Sequence, residues 1–373
     1  MGFSIDTRSL KPGDIFIPVK GENFDGHDFI QEALQKGASK ILDEDIREVA
    51  KKYRKKLKCE VIAVVGSYGK TTTKDYLKAL FSKSYRVVST LENQNNEIGA
   101  ALTLLSADYQ TEILIVELGI RKPDQMKILA QMLRPTTVVF TGVGMAHIEF
   151  FKSQKAIAIE KAKIYQKALQ WESKRKTFLA NGHDFVDLLK QKAEKQGFEV
   201  FFYGGSEALA QPLNLLYDLG REYDISPTLI EEAIQSYESS THRMKSFIND
   251  RQVRVIDDVY NASPEAMKAA LAYLSKAAGR KICVLGEMLE LGAHTKAEHQ
   301  KVIELIEQSN IDVAFLIGKA FAGVKIKSEK CVFLDSKEQA KDLLLAELKA
   351  QDTVLLKASR SIGLEYLVDA LKG

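Results

Sequence analysis

Short, continuously apolar runs alternate with amphipathic stretches of helical period from residue 59 onward. Three runs in the middle of the chain are rich in β-branched residues and end near a glycine: VIAVVG at Val61, EILIVELG at Glu112 and TTVVFTGVG at Thr136. Continuous apolar strands separated by helices are typical of a parallel sheet with both faces covered. The middle of the chain is therefore predicted to form an α/β domain on a parallel sheet.

A second series of such runs begins near Arg243 and predicts another α/β sheet, of the doubly wound type. A helix is predicted over Ala297–Gln308, and strands are predicted at VRVIDD, KICVLG, VAFLIG, CVFLD and TVLLK. Near the start, GDIFIPVKG predicts a strand, and HDFIQEALQKGASKIL predicts a helix followed by a strand. The region between Trp171 and Tyr237 is interpreted as mostly helical. We therefore expect an α/β protein with three domains: residues 1–57, 58–241 and 242–373.

Composition narrows the possible functions. The 373 residues carry a net charge of +3, which gives no electrostatic reason to expect nucleic acid or a membrane surface as a partner. No apolar run reaches membrane-spanning length. The basic run KKYRKKLK from Lys51 is interpreted as the solvated face of a helix. The three cysteines, Cys59, Cys283 and Cys331, lie far apart in or beside apolar runs, so we expect reduced core residues of a cytoplasmic protein.

The most specific motif is the loop after the first central run, GSYGKT, which leads directly into an amphipathic helix. Gly66 and Gly69 would let backbone N–H groups approach phosphate oxygens, and the helix N-terminus adds partial positive charge. Lys70 would bridge the β- and γ-phosphates, and Thr71 would bind Mg²⁺. The strict phosphate-loop pattern requires glycine at position 64, which is Val64 here, so the match is a shortened variant. A plain glycine turn is the alternative, and Gly-Lys-Thr at the helix start disfavours it.

Polar residues at the ends of the next two strands extend this candidate site. Glu117 ends the run EILIVELG, and His147 and Glu149 follow TTVVFTGVG. Ligands of an open parallel sheet gather at the carboxyl ends of its strands, so Glu117 and His147 are expected to converge on phosphates and metal ions. Each alone could equally be a surface residue. Lys161 and Lys163 follow; an ammonium cannot ligate a cation, and a solvated helix lysine is the ordinary interpretation.

Motifs spread over all three regions resemble one known family. In chain order they are SIDTRSLKPGDIFIPVKGENFDGHDF, GSYGKTTTK, ENQNNEIGAALTLL, VELGIRKPDQM, RPTTVVFTGVGMAHIEFFKS, IDDVYNASPEAM, LGEMLELG and LKASRSIGLE. With these motifs the sequence resembles the Mur ligases. Within that family, the Asn-Asn-Glu-Ile-Gly and Tyr-Asn-Ala elements are most similar to the member that adds D-alanyl-D-alanine.

The resemblance implies an ATP-dependent amide ligase with an acyl-phosphate intermediate. The terminal carboxylate of a UDP-muramyl tripeptide would be phosphorylated, and the amine of D-alanyl-D-alanine would then displace the phosphate. Two Mg²⁺ ions would neutralise the anions that meet there. By similarity, Thr71 and Glu117 would hold one ion, and His147 and a carbamylated Lys161 would hold the other. The residues with implied catalytic roles are Lys70, His147 and Lys161.

The resemblance also implies the full sets of binding residues, which include the loop residues already identified from the motif. The ATP-binding set, with Asp258 on the ribose hydroxyls, is Gly66, Ser67, Tyr68, Gly69, Lys70, Thr71, Thr72, Arg243, Asp258, Tyr260 and Asn261. The substrate-binding set is Asp6, Thr7 and Arg8 for uridine diphosphate, Asn95 and Asn96 near the metal and the muramyl peptide, and Lys357, Ser359 and Arg360 for the incoming dipeptide. A monomer is expected.

Several positions depart from the family pattern. The N-terminal domain is short, and the β-rich part of the central domain is reduced after Phe202. The Gly-x-His-Asn element expected before the domain junction is replaced by GGSEALAQPLNLL. Gly142 stands in place of an asparagine, and His242 and Ala358 stand in place of glycines. We therefore expect an active but divergent enzyme.

Three alternatives remain open at this level. The chain could be a Mur-type ligase for a different carboxylate acceptor, or a catalytically silent binding homologue. The second is disfavoured because the five central chemical residues are retained together: Lys70, Thr71, Glu117, His147 and Lys161. A generic phosphate-loop kinase would leave His147 and the C-terminal sheet without a role.

Overall fold

The computed structural model describes residues 2–21, 24–91, 94–165, 174–204, 211–237 and 241–372. Within these ranges the strands form three sheets, of three, six and six strands. The chain divides into two compact units. The first comprises Met1–Gly142 and Ile157–Tyr237, and the second comprises Val143–Ala156 and Glu238–Gly373. Across the described parts of the chain, no helix is long and apolar enough to cross a membrane.

The first unit contains the three-stranded sheet and one six-stranded sheet. In chain order its elements, with α6 crossing into this unit, are β1 (Phe3–Ser4), β2 (Ile15–Phe16), α1 (Ile30–Gln35), β3 (Lys40–Ile41), α2 (Ile46–Arg54), β4 (Glu60–Val65), α3 (Lys70–Phe81), β5 (Val87–Ser89), α4 (Glu97–Leu105), β6 (Ile113–Leu118), α5 (Gln125–Leu133), β7 (Thr137–Phe140), α6 (Gln154–Lys161), β8 (Arg175–Ala180), α7 (Val186–Glu194), β9 (Phe198–Tyr203), α8 (Gln211–Glu222) and α9 (Pro227–Gln235).

The six-stranded sheet of this unit is entirely parallel, in the order β5-β6-β4-β7-β8-β9. Successive side chains of a strand point to opposite faces, and both faces of β4 are buried from Val61 to Val65. On one face Ile62 and Val64 pack with Leu77 of α3 and Leu216 of α8. The central strand β4 therefore ends between β6 and β7, so the loops after these strands meet at one edge.

The second unit is built on the other six-stranded sheet, in the order β10-β11-β15-β12-β13-β14. β10 is antiparallel to β11, and the other pairs are parallel. Its elements are β10 (Lys245–Ile248), β11 (Arg254–Asp258), α10 (Pro264–Ser275), β12 (Lys281–Gly286), α11 (Thr295–Gln308), β13 (Val313–Ile317), α12 (Lys319–Ala322), β14 (Cys331–Leu334), α13 (Lys337–Glu347), β15 (Thr353–Lys357) and α14 (Glu365–Lys372).

Local chemistry explains where the helices of this unit begin. Ser263 is the N-cap of α10, and its side chain accepts a hydrogen bond from the Ala266 N–H at 3.3 Å, with Pro264 as the next residue. Ser336 caps α13 through the Gln339 N–H at 3.2 Å. A serine N-cap satisfies a backbone donor that the helix leaves free, and proline fits the first helical position because it has no N–H to satisfy.

The predicted α/β fold with parallel sheets is confirmed. The five C-terminal strands and the helix over Ala297–Gln308 form as predicted, as β11 to β15 and α11. The three cysteines are buried and unpaired by disulfides, as expected of core residues. The boundary between residues 57 and 58 stays a prediction, since the first two predicted domains fall within one compact unit.

The structure qualifies two interpretations of the sequence. The region from Trp171 to Tyr237 is mostly helical where the structure describes it, with α7, α8 and α9, but it also contains the strands β8 and β9, which the sequence did not predict. These strands are less uniformly apolar because they lie at the outer side of the sheet. The basic run from Lys51 is not wholly solvated, because Arg54 is buried and its guanidinium donates to the carbonyls of Leu133 at 2.7 Å and Leu57 at 3.0 Å.

Candidate active site

The loop between β4 and α3 is braced against the end of β7. Ser67 N–H donates to the Gly142 carbonyl at 2.9 Å, and Thr141 Oγ1 donates to the Tyr68 carbonyl at 2.5 Å. A Cβ at Gly66 would overlap Thr141 Oγ1, so only glycine allows this approach. Gly69 has φ +72°, a left-handed conformation that glycine adopts at little cost, and α3 starts at the next residue. The loop therefore has the geometry that a phosphate-binding loop requires.

The first turn of α3 carries the residues expected to meet phosphate. Lys70 is the first helical residue, Thr71 is buried and Thr72 is half-buried. No acidic side chain lies in this turn. The N-terminal N–H groups and the helix dipole therefore favour an anion here, together with the positive charge of Lys70.

Glu117 meets the end of β4 from the neighbouring strand β6. Its backbone pairs beside Val64, and only 1% of the residue is exposed. Asn95 Nδ2 donates to Glu117 Oε1 at 2.8 Å, whereas Glu117 Oε2 is buried and has no hydrogen-bond partner among the residues that the structure describes. A buried carboxylate oxygen left without a partner is costly unless a cation or another donor satisfies it. The donor set therefore fits a hard cation such as Mg²⁺, with Thr71 as the second predicted oxygen ligand.

Lys161, at the end of α6, is buried against the phosphate loop. Only 2% of the residue is exposed, and Nζ donates to the Gly66 carbonyl at 2.9 Å. Burial lowers the pKa of Lys161 well below its usual value, and the nearby positive charge of Lys70 lowers it further. The ordinary interpretation of a solvated helix lysine is thus wrong for this residue. A neutral amine is also the form that reacts with CO₂.

Lys163 has a different environment only two residues later. Its ammonium pairs with Asp124 at 2.8 Å and with Glu160 at 2.6 Å. These two carboxylates raise the pKa of Lys163. Lys163 is therefore a charged residue held by ion pairs, whereas Lys161 is buried, and its carbamate stays a prediction.

His147 belongs to the second compact unit, whereas Thr71, Glu117 and Lys161 belong to the first. His147 Nδ1 is hydrogen-bonded to the Glu290 carboxylate. Among the residues that the structure describes, no three His, Cys, Asp or Glu side chains form a group that could hold a metal ion. The metal site with His147 and Lys161 therefore stays a prediction.

The structure joins two residues that the sequence assigned to different ligands. Asp258 and Lys357 pair side by side on β11 and β15, and Lys357 Nζ donates to Asp258 Oδ2 at 2.6 Å. Lys357 also donates to the Asn261 carbonyl at 2.9 Å. Lys357 is buried, so in this structure its charge holds the ends of the two strands together. Their predicted contacts with ribose and dipeptide remain predictions.

Aromatic and polar contacts fix the other predicted residues of this unit. The Arg243 guanidinium lies 3.9 Å from the centre of the Tyr260 ring, and Arg360 lies 5.6 Å from it. Arg360 also pairs with Glu365. The hydroxyl of Ser359 is buried and accepts a hydrogen bond from a backbone N–H in the loop after β12. The guanidinium groups of Arg243 and Arg360 therefore both lie close to the Tyr260 ring.

The residues predicted to contact uridine diphosphate and the muramyl peptide have the following positions and partners in the structure. Asp6 and Arg8 form an exposed ion pair with a nitrogen–oxygen distance of 2.6 Å. Thr7 is buried, and its carbonyl accepts a hydrogen bond from the Lys36 ammonium at 3.0 Å. Asn96 is the N-cap of α4, with its side chain accepting from the Gly99 N–H at 2.8 Å. Its side-chain oxygen therefore has a structural role here, and its contact with substrate stays a prediction.

Some residues that shape the site were not identified from the sequence. Thr141 braces the phosphate loop, and Thr90 Oγ1 accepts a hydrogen bond from the Glu117 N–H at 3.0 Å. Glu290 lies in the motif LGEMLELG, in which the sequence indicates no role for any individual residue. For the two threonines no signal marks the role, because a threonine near a strand end is common and its partner is distant in sequence.

Three family models match the chain. The Mur ligase family catalytic-domain model matches residues 2–102, the Mur ligase middle-domain model matches residues 64–245, and the glutamate ligase domain model of Mur ligases matches residues 242–360. A curated relative from Bacillus subtilis (strain 168), named UDP-N-acetylmuramoyl-tripeptide–D-alanyl-D-alanine ligase, is 30% identical over 99% of this chain and 93% of its own length. The chain belongs to the Mur ligase family.

Other Mur ligases agree along the whole chain. A relative of the same name from Treponema pallidum (strain Nichols) is 31% identical over 100% of this chain and 94% of its own length. The crystal structure of MurF ligase from Thermotoga maritima in complex with ADP has a TM-score of 0.84 and 25% identity, covering 100% of this chain and 97% of that one. MurF from Acinetobacter baumannii has the same fold, with a TM-score of 0.87 at 22% identity over 99% of this chain and 93% of that one.

The structure also explains how this Mur ligase carries two of its departures. His242 has φ +63°, a left-handed backbone conformation that glycine adopts more easily than histidine. Its Nδ1 is hydrogen-bonded to Asp257 Oδ2 at 2.7 Å. Gly142 has φ +131°, and the Tyr68 hydroxyl lies where its Cβ would be. The segment that replaces the Gly-x-His-Asn element lies partly outside the described residues, since residues 205–210 are among those left undescribed.

Proposed function

We propose that this Mur ligase adds D-alanyl-D-alanine to a UDP-N-acetylmuramoyl tripeptide, coupled to the cleavage of ATP to ADP and phosphate. The observation that carries the proposal is the similarity, along nearly the whole chain, to relatives named for that reaction. The phosphate loop and the buried Glu117 support it from the structure, because both suit a reaction that gathers anions. The nucleotide-linked substrate and ATP favour action in the cytoplasm.

The first chemical step needs the phosphate loop. The tripeptide carboxylate attacks the γ-phosphorus, a new oxygen–phosphorus bond forms, and ADP leaves. The N–H groups of the loop and the Lys70 ammonium bind the phosphates and stabilise charge on the transferring group. Thr71 and Glu117 would hold one Mg²⁺, and His147 with carbamylated Lys161 would hold a second; bound Mg²⁺ supplies neutralisation of the anions.

The carbamate at Lys161 is part of the proposal and rests on burial. The neutral amine attacks CO₂, a nitrogen–carbon bond forms, and one proton is released. The product replaces an ammonium with an anionic oxygen donor, which suits a hard cation. The 2.9 Å hydrogen bond to Gly66 holds the nitrogen beside the phosphate loop, where such a donor is needed.

The second step joins the two peptides. The amine of D-alanyl-D-alanine attacks the acyl carbon, the amide bond forms, the carbon–oxygen bond to phosphate breaks, and phosphate and one proton are released. We propose that Arg243, Asp258, Tyr260 and Asn261 bind the nucleotide, and that Lys357, Ser359 and Arg360 orient the dipeptide. Asn95 would position Glu117 through the hydrogen bond already formed between them, and Asp6, Thr7 and Arg8 would bind the uridine diphosphate.

ADP release tests the proposal when each substrate is omitted in turn. With UDP-N-acetylmuramoyl tripeptide and D-alanyl-D-alanine both present, ADP should form, and omission of the dipeptide or the tripeptide should lower the rate at least about tenfold. Lys70→Ala should lower the rate by about 10²-fold or more. Lys78→Ala is the matched control, because Lys78 lies exposed on the same helix.

Other outcomes would identify the alternatives. ADP release that requires D-alanyl-D-alanine but a carboxylate acceptor other than the UDP-muramyl tripeptide would indicate a Mur-type ligase for a different carrier. The absence of ADP release with every acceptor, in a protein that still binds ATP, would indicate a silent homologue. An acceptor without its uridine diphosphate tests Asp6, Thr7 and Arg8 separately.

A further inference from the structure

The loop after β12 is hydrogen-bonded to the turn that contains His147 and packs against it. We define this β12 loop as residues 287–292. Its Glu290 carboxylate is hydrogen-bonded to His147 Nδ1, and the Glu290 carbonyl accepts from the Glu149 N–H at 3.2 Å. A Cβ at Gly292 would lie 3.0 Å from the Glu149 Cβ, so the two segments are also in close packing contact. One loop therefore holds the histidine side chain and its backbone turn together.

Both partners have an unusual backbone conformation. His147 has φ +64° and Glu290 has φ +61°, and neither is glycine. Left-handed conformations are uncommon for such residues and cost free energy, so they persist where the surrounding structure determines them. Two of them in direct side-chain contact indicate that the relative position of His147 and Glu290 is constrained.

The β12 loop is itself anchored from within the second unit. The Met288 N–H donates to His299 Nε2 at 3.0 Å, and the Leu289 N–H donates to Ser359 Oγ at 3.0 Å. The Ser359 N–H returns a hydrogen bond to the Glu287 carbonyl at 3.1 Å. Since His299 and Ser359 are both buried, these contacts fix the backbone immediately before Glu290.

We propose that Glu290 is a positioning residue that selects the tautomer and the ring orientation of His147. An ionised carboxylate only accepts hydrogen bonds, so the proton of a neutral His147 ring lies on Nδ1. The lone pair of Nε2 is then available to a metal ion. Carboxylates commonly orient ligating histidines in this way, and removing one typically weakens metal binding by about 10- to 100-fold.

The inference rests on the proposed function, because it gives His147 the role of a metal ligand. Its first test does not involve metal or activity. Metal-free protein with ¹⁵N-labelled histidine is measured by long-range ¹H–¹⁵N correlation at pH 8, and His147→Gln assigns the signal. Wild type should show His147 protonated at Nδ1. Glu290→Gln should shift the population towards Nε2–H, because an amide can also donate to Nδ1.

A second measurement follows Mn²⁺ binding in the presence of ATP by electron paramagnetic resonance. Glu290→Gln and Glu290→Ala should weaken one Mn²⁺ site by about 10- to 100-fold, as His147→Ala should. Glu304→Gln is the matched control, because it removes the same charge from an exposed position of α11. A thermal unfolding midpoint close to that of wild type for Glu290→Gln would separate positioning from loss of the fold.

Two results would overturn the inference and are distinguishable. If wild-type His147 carries its proton on Nε2, or if Glu290→Gln changes neither the tautomer nor Mn²⁺ binding, Glu290 does not position the ring. If Glu290→Gln shifts the tautomer while His147→Ala binds Mn²⁺ like wild type, then the metal role of His147 in the proposed function fails, and the inference fails with it.

Discussion

The Tyr68 hydroxyl occupies the place that a side chain at Gly142 would take. A Cβ at Gly142 would overlap this oxygen and approach Tyr68 Cε2 at 3.1 Å. Tyr68 lies within the phosphate loop, and Gly142 accepts the Ser67 N–H of that loop. The large side chain at position 68 and the glycine at position 142 therefore form one packing arrangement, which leaves no room for a side chain at position 142.

This relationship predicts coupled effects of substitution. Gly142→Ala should destabilise the protein by about 2–4 kcal/mol. The alanine would be strained at φ +131°, and its Cβ would also overlap with Tyr68. In a Tyr68→Ala background the same change should cost about 1–2 kcal/mol less, because only the backbone strain remains. Urea unfolding of the four proteins of this cycle gives the coupling. Strictly additive costs would show that the two residues do not compete for space.

The two neighbouring lysines predict opposite outcomes. Lys161→Ala should lower ligation by about 10²-fold or more, with partial rescue by acetate, because a small carboxylate can replace the carbamate oxygens. Lys163→Ala should stay within about threefold of wild type in ligation, since the Lys163 ammonium pairs with Asp124 and Glu160 rather than with the phosphate loop. Protein prepared under ¹³CO₂ should show a carbamate carbon signal that Lys161→Ala lacks.

Two outcomes with these lysine variants would contradict the assignment of the carbamate to Lys161. If Lys163→Ala is the inactive variant, the wrong lysine was identified. If neither lysine matters and no carbamate signal appears, the second metal would have to be held by His147 with substrate or water oxygens.

The Asp258–Lys357 pair predicts a mixed phenotype. Asp258→Ala should raise KM for ATP more than it lowers kcat, because a ribose contact contributes mainly uniform binding. It should also lower the free energy of unfolding by about 3–5 kcal/mol, because the buried Lys357 ammonium loses its carboxylate. Replacing Lys357 by methionine in the same chain should restore stability but not KM. A pure kcat defect would argue against the ribose contact.

The hydrogen bond between the Met288 N–H and His299 should make the stability of the β12 loop depend on pH. Burial lowers the pKa of His299 below the usual 6.5, although Thr295, Glu287 and Glu298 act in the opposite direction. The folded state then binds fewer protons there than the unfolded chain, so this stabilisation is complete above pH 6.5 and is lost as pH falls through the folded pKa.

Unfolding measured between pH 5 and 8 in wild type and His299→Gln isolates that effect. Glutamine can still accept the Met288 N–H but does not titrate in this range. The free energy of unfolding of wild type should decline more steeply below pH 6.5 than that of the variant. Parallel curves would mean that His299 does not control the pH dependence.

The parts of the molecule determined by local sequence were predicted most successfully. The Gly-Lys-Thr element predicts the glycine turn and the start of α3 because glycine conformation and a helix N-terminus are local properties, while phosphate binding by this loop stays a prediction. Continuous apolar strands such as β4 and β12 were identified for the same reason. In contrast, β8 and β9 carry charged residues, so they lack the continuous apolar run by which β4 and β12 were predicted.

The site is harder to predict because its contacts are long-range. Glu290, the partner of His147, lies 143 residues further along the chain, and the motif around Glu290 gives no indication of this contact. The burial of Lys161 follows from its contact with Gly66, 95 residues earlier. A lysine in a helix is expected to be solvated until its tertiary packing is known, so only the family resemblance implied a role for Lys161 at the site, and that role stays a prediction.

Oxygen transfer from substrate to phosphate tests the central claim most directly. The tripeptide carboxylate is labelled with ¹⁸O, and the products formed with ATP and D-alanyl-D-alanine are measured by mass spectrometry. With both carboxylate oxygens labelled, the account predicts a UDP-muramyl pentapeptide and one ¹⁸O in each phosphate released, because the oxygen that bridges carbon and phosphorus in the acyl phosphate leaves with the phosphate when the amide forms. Amide product with unlabelled phosphate, or phosphate release without the pentapeptide, would contradict the account.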